Sequence, residues 1–110
     1  MEPTLDDILN YDSEYDVLEK VMDVKGSIVF DTRKIYINPM FNDNGLTYTH
    51  ELFHHHYREI GLDVSEEIVE RESQRFYFEN QKEMDFFYKV NVFENKRRKL
   101  IRNRKDIFDS

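Results

Sequence analysis

Four histidines crowd into residues 50–56, and the run His50-Glu51-Leu52-Phe53-His54 sets the tightest limit on what this chain can fold into. At 3.6 residues per turn, His50 and His54 stand about 40° apart around a helix and one turn apart along it. Their imidazoles therefore meet at a common point only if the segment is helical. Glu51 falls about 100° from His50, facing the same point without competing for it. This is the HExxH spacing, which suits a Zn2+ ion held by two imidazoles with a carboxylate beside it to exchange protons with water.

The two remaining histidines are expected to part company. His55 lies about 200° from Phe53 on the wheel, away from the apolar stripe of Leu46, Phe53, Tyr57 and Ile60, and is expected in solvent. His56 flanks that stripe and is expected to be packed and hydrogen-bonded. Neither is needed as a ligand if an acid comes from elsewhere.

Zinc sites that do chemistry carry three protein ligands and one open position. The downstream segment Ser65–Phe76 offers Glu66, Glu67, Glu70 and Glu72. Ser65 reads as a helix cap, and acids in the first turn after a cap serve the helix dipole, which sets Glu66 and Glu67 aside. Glu70 lies more than a turn in, beside Val69 and close to the face of Ser73 and Phe76. It is the expected third ligand, with an ordinary surface glutamate paired to Arg71 or Arg75 as the alternative. Gln74, one turn on, is placed to accept a hydrogen bond from a ligand histidine.

The rest of the chain supplies a frame around this pair of helices. Thr4 and Asp7 form a capping box ahead of Leu5, Ile8 and Leu9. Ser13 and Asp16 read as a second cap, leading a helical stripe of Tyr15, Leu18, Val21 and Met22. Ser27–Asp31 and Lys34–Asn38 are β-branched and aromatic, with Thr32 and Arg33 between them as a two-residue hairpin turn. Pro39 ends the second strand, and Asn42–Gly45 is a loop entering the HELFH helix, which Gly61 closes. Asn80 interrupts the following helix before Met84, Phe87 and Tyr88, and a last helical segment begins near Asn91. The fold class is α+β, mostly helical, with a small antiparallel hairpin sheet beside the HExxH helix.

One domain fits 110 residues, taken as 1–95 plus a basic helix or tail at 96–110. Nine Phe and seven Tyr supply the bulk of its core. No run approaches the ~18 apolar residues of a membrane span, and the acidic start is unlike a signal peptide. Without cysteine there is neither a disulfide framework nor a thiolate site, so a cytoplasmic setting is expected. The net charge of −7 divides unevenly: residues 96–110 carry +5, leaving −12 on residues 1–95. Such a body offers nucleic acid no surface. The tail, Lys96–Lys105, is expected to dock on it through Leu100, Ile101, Ile107 and Phe108; the other reading is an arm for DNA or for an acidic protein partner.

Paired strands, then Thr47-Tyr48-Thr49 and HELFH, then Glu70-Arg71-Glu72-Ser73-Gln74-Arg75-Phe76 together resemble the ImmA/IrrE group of zinc peptidases over roughly residues 26–78. That group's pattern is F-T-x-A-H-E-x-G-H followed by E-x-x-A-(Asn or Asp)-x-F-A. The resemblance implies a minimal zincin-like domain with His50, His54 and Glu70 as zinc ligands and Glu51 as the catalytic carboxylate. Asn38 would match the group's strand-end asparagine, and the hairpin would border the cleft. It implies a site-specific endopeptidase whose protein substrate is a helix-turn-helix repressor, in a phage, mobile element or stress regulon. Phe53 stands where the group often has glycine, and Ser73, Gln74 and Tyr77 replace Ala, Asn or Asp, and Ala. The competing expectation is a non-catalytic module in which zinc staples two helices and the tail makes regulatory contacts. Tyr48 and Tyr57 are the tyrosines nearest in sequence that could steady an oxyanion.

Overall fold

The computed structural model describes the backbone of residues 2–108 and the side chains of residues 2–101. Seven elements follow in order: α1 (Leu5–Ser13), β1 (Asp16–Glu19), β2 (Gly26–Val29), β3 (Lys34–Ile37), α2 (Asn44–Glu59), α3 (Glu66–Glu79) and α4 (Gln81–Phe108). The result is α+β and mostly helical, as the sequence pattern leads one to expect. The HELFH segment lies within α2, which packs against α1, α3, α4 and the sheet.

Local chemistry accounts for most boundaries. Thr4 Oγ1 accepts the Asp7 amide while Asp7 accepts the Thr4 amide, closing the capping box of α1. Gly61 follows α2 at φ +70°, a left-handed position that costs glycine little. Ser65 caps α3 through the Ile68 amide. Asn80 is both the C-cap of α3 and, through its carbonyl, the acceptor for the Met84 amide in α4.

The helical stripe expected from Tyr15 to Met22 is not there. Ser13 turns back, its hydroxyl donating to the Asn10 carbonyl at 2.6 Å, and α1 ends. Asp16–Glu19 instead becomes β1, which buries Val17 and runs parallel to β3 with Val17 opposite Ile35. The sheet is consequently mixed, in the order β1-β3-β2, rather than a lone antiparallel hairpin. The β2–β3 connection is also longer than expected: Val29 pairs with Lys34, which leaves four residues in the turn. Arg33 there adopts φ 55°, and its guanidinium donates to the Tyr15 hydroxyl at 3.0 Å. That hydrogen bond helps offset the left-handed backbone of a residue without glycine's freedom.

The two edges of this sheet are treated differently. On the β1 side, α4 reaches in with two asparagines: the Val17 amide donates to Asn91 Oδ1 at 3.0 Å, and Asn95 Nδ2 donates to the Val17 carbonyl at 3.1 Å. Side-chain amides thus occupy backbone groups that another strand would otherwise pair. Asn91 also donates to the Asp12 and Tyr15 carbonyls, joining α1, β1 and α4. Along β2 no strand covers the outer edge among the described residues.

The core is built from Ile8, Val17, Ile35, Ile37, Tyr48, Leu52, Phe53, Val69 and Met84, with Phe76 and Tyr88 at its margins. The basic segment continues α4, which passes through residue 96 without a break. Lys96 pairs with Glu19 at 2.7 Å and Arg98 with Asp16 at 3.4 Å, so the acidic body does attract it. The expected apolar docking fails at Leu100 and Ile101, which are 66% and 55% exposed, because α4 extends past the end of the body. Ile107 and Phe108, named with them, lie outside the described side chains. Among the described residues no helix is long and apolar enough to cross a membrane.

Asp12 provides a pH readout of this frame. Burial raises its carboxyl above the ordinary value of 3.8, opposed by hydrogen bonds from Tyr48 and Asn91. A carboxyl whose pKa is higher folded than unfolded stabilises the fold while protonated, and that contribution is lost as pH rises through the folded value. Asp12→Asn keeps an acceptor and removes the charge. Denaturant titrations across pH 3–7 should therefore show the wild type losing stability relative to the variant as pH rises; a pH-independent difference would contradict the assignment.

Candidate metal centre

Helix α2 is buried around much of its circumference, and this decides where each histidine goes. On the side facing α3, His50 and His54 project into a cleft of about 480 Å³. Their Nε2 atoms lie 3.1 Å apart. A single carboxylate meets both: Glu66 Oε1 is 2.6 Å from His50 Nε2, and Glu66 Oε2 is 3.2 Å from His54 Nε2. Zinc bonds of about 2.0–2.2 Å at tetrahedral angles put neighbouring ligand atoms roughly 3.4 Å apart. The two imidazoles and the carboxylate are close to that spacing, and a His2Glu donor set is one that zinc accepts. The residues present fit the ion.

The carboxylate drawn to the pair is that of Glu66, whereas the sequence points to Glu70. Glu70 lines the same cleft one turn further along α3, where Gln74 Nε2 donates to its Oε1 at 3.5 Å. Glu66 and Glu70 share a helix face, and the way α3 crosses α2 brings its first turn, rather than its second, opposite the histidines. Gln74, expected to support a histidine, is thus turned toward Glu70.

Glu51 forms the buried floor of the cleft at 7% exposure. Burial, reinforced by the nearby Glu66 charge, pushes its carboxyl up to about 7. Burial also lowers the pKa of His54, with Glu66 acting against it, which favours the neutral, ligating ring. Partial burial pushes the Glu66 carboxyl up, but His54 and His50 outweigh it and hold the group below its ordinary range.

Residues that the motif does not announce complete the walls. Gly26, at the start of β2, lies so close that a Cβ there would sit 2.5 Å from Thr47 Cγ2 and 3.4 Å from Glu51 Oε1. Its lack of a side chain lets the strand approach the helix over the Glu51 carboxylate. Lys25 and Asp43, paired at 2.8 Å, also line the cleft, with Thr47 and Ser73. Asn38 holds the preceding loop: its Nδ2 donates to the Met22 and Val24 carbonyls, and its Oδ1 accepts the Met40 amide. Neither Tyr48 nor Tyr57 lines the cleft. Tyr48 is in the core, donating to Asp12, and Tyr57 borders a separate apolar hollow with Phe30 and Val69 that shares His54 with the cleft.

His55 overturns its expectation: it is 2% exposed, not in solvent. Tyr11 and Tyr15 cover it edge-on, with ring centroids 4.7 and 5.0 Å away. A wheel drawn for one buried stripe misses α1, which packs on the opposite side of α2. His56 is buried as expected and shares a 2.9 Å hydrogen bond with Tyr11.

No protein-family model, curated protein or solved structure matches this chain.

The geometry orders the two candidate carboxylates. Glu66→Gln should weaken zinc binding more than about 100-fold, whereas Glu70→Gln should stay within the ~10–100-fold that loss of an outer partner costs. Competition titrations with a chromophoric chelator measure both, and the reverse order would transfer the ligand role to Glu70.

Proposed function

We propose that this protein is a zinc-dependent metallopeptidase that cuts an extended segment of a protein partner. The observation carrying the reading is the convergence of His50, His54 and Glu66 over a cleft whose floor is the buried carboxylate of Glu51. A bound zinc ion would supply Lewis acidity toward a carbonyl oxygen, a lowered pKa for nearby water, and a positive charge that draws the Glu51 pKa down.

The chain's own residues account for the remaining work. Glu51, on the floor of the cleft beside the His50–His54 pair, takes a proton from the attacking water and delivers it to the departing amine. Its burial keeps it free of competing hydration, and Gly26 leaves room for it beneath the strand. The open edge of β2 offers backbone donors and acceptors to an extended peptide, which gives affinity without requiring a particular sequence. Ser73, Thr47 and the Lys25–Asp43 pair bound the space where side chains next to the scissile bond would lie. The reading includes a cytoplasmic setting and a target such as a helix-turn-helix repressor, whose flexible linker meets the requirement for extended backbone.

Glu51→Gln separates this from a zinc staple without chemistry. The variant should retain zinc while hydrolysis of a quenched-fluorescent peptide library falls about 10²–10⁴-fold, the range of a lost general base. Equal turnover by wild type and variant would refute the peptidase.

A further inference from the structure

The back of α2 carries a second set of ligand-type groups, remote in role from the cleft. His55 Nδ1 and the Tyr15 hydroxyl are 2.6 Å apart, and Arg33 donates to the same hydroxyl oxygen. Ligation through Nε2 places the ring proton on Nδ1, where the Tyr15 oxygen, held in position by Arg33, can accept it. A histidine whose second nitrogen is fixed in this way is prepared to ligate.

Nε2 is buried and hydrogen-bonds to nothing. Yet Glu14 Oε2 stands 3.3 Å from it and Glu59 Oε1 3.9 Å, and the three ligand atoms lie within 4.8 Å of one another. The two carboxylate oxygens thus gather around the ring nitrogen. That is where co-ligands of a shared ion stand, since tetrahedral bonds of about 2.0–2.2 Å separate neighbouring donors by roughly 3.4 Å.

We propose that His55, Glu14 and Glu59 form a second divalent-cation site, selective for zinc-class ions and independent of the cleft. One imidazole with two carboxylates suits Zn2+, Co2+ or Ni2+ better than Mg2+ or Ca2+, which prefer oxygen alone. Glu14 is the C-cap of α1, and Glu59, the last residue of α2, lies one turn beyond His55. An ion here would tie the ends of the two helices together. Both carboxylates are about half exposed, which gives the ion a route in. The role is structural or regulatory, and it goes beyond the peptidase reading, because no residue of the cleft takes part.

Calorimetric titration of the untagged, chelator-stripped full chain with Zn2+ tests this, with Co2+ absorption to report on the ligand field. The wild type should bind two ions. Glu14→Gln/Glu59→Gln, two exposed changes that spare the buried ring, should bind one, and His50→Ala/His54→Ala should retain the other. Stoichiometry and affinities unchanged by Glu14→Gln/Glu59→Gln would overturn the proposal, as would a folded His50→Ala/His54→Ala protein that binds no zinc. If the wild type binds one ion that Glu14→Gln/Glu59→Gln abolishes, the second site stands and the cleft reading falls. Should His50→Ala/His54→Ala not fold, the comparison in the wild-type background still decides.

Discussion

The structure depends on the enclosure of α2. Helix, sheet and long C-terminal helix all pack against it, so that Gly45, Tyr48, Leu52, Phe53, His55, His56 and Tyr57 are buried on different sides of one element. A helix held in this way has little freedom to rotate or slide, because turning any face outward would expose apolar surface at about 25 cal/mol per Å². The histidines consequently sit on a rigid support whose position is set by the hydrophobic core. Sites on such supports keep their geometry before a ligand arrives.

Enclosure also explains why some of the site could be read from sequence and some could not. The HELFH spacing alone brings His50 and His54 together and puts Glu51 beside them, since those relations are internal to one helix. The choice between Glu66 and Glu70 depends on how two helices cross, which no periodicity encodes; both satisfy the same face. His55 illustrates the same limit from the other side. Its angle on the wheel holds, but exposure follows from that angle only if α2 has one buried face, and the residues that cover it, Tyr11 and Tyr15, lie forty or more positions away.

The fold follows a similar division. Caps at Thr4 and Ser65, the glycine at 61 and the β2 and β3 segments are local, and they appear near where local chemistry places them. The strand at Asp16–Glu19 is not local. Tyr15, Leu18, Val21 and Met22 satisfy helical spacing, whereas the buried Tyr15 and Val17 follow the period of two of a strand, and what decides is the supply of partners: β3 on one side, Asn91 and Asn95 on the other. Four histidines within seven residues reach three environments, a polar cleft, an aromatic enclosure with carboxylates at its mouth, and a packed contact with α1. Burial and neighbours, more than residue type, give each ring its chemistry.

The asymmetry of the sheet limits what can approach the cleft. With β1 closed by asparagines and β2 open, docking by strand addition is confined to one line running past Gly26. A compact helix or a finished sheet has its amides and carbonyls already engaged and has nothing to give that line; a linker, a frayed terminus or a partly unfolded chain does. Under the proposed peptidase function, selection among partners would begin with their local disorder, before any side chain is inspected, and a target could be protected simply by folding the segment that contains its cleavage point.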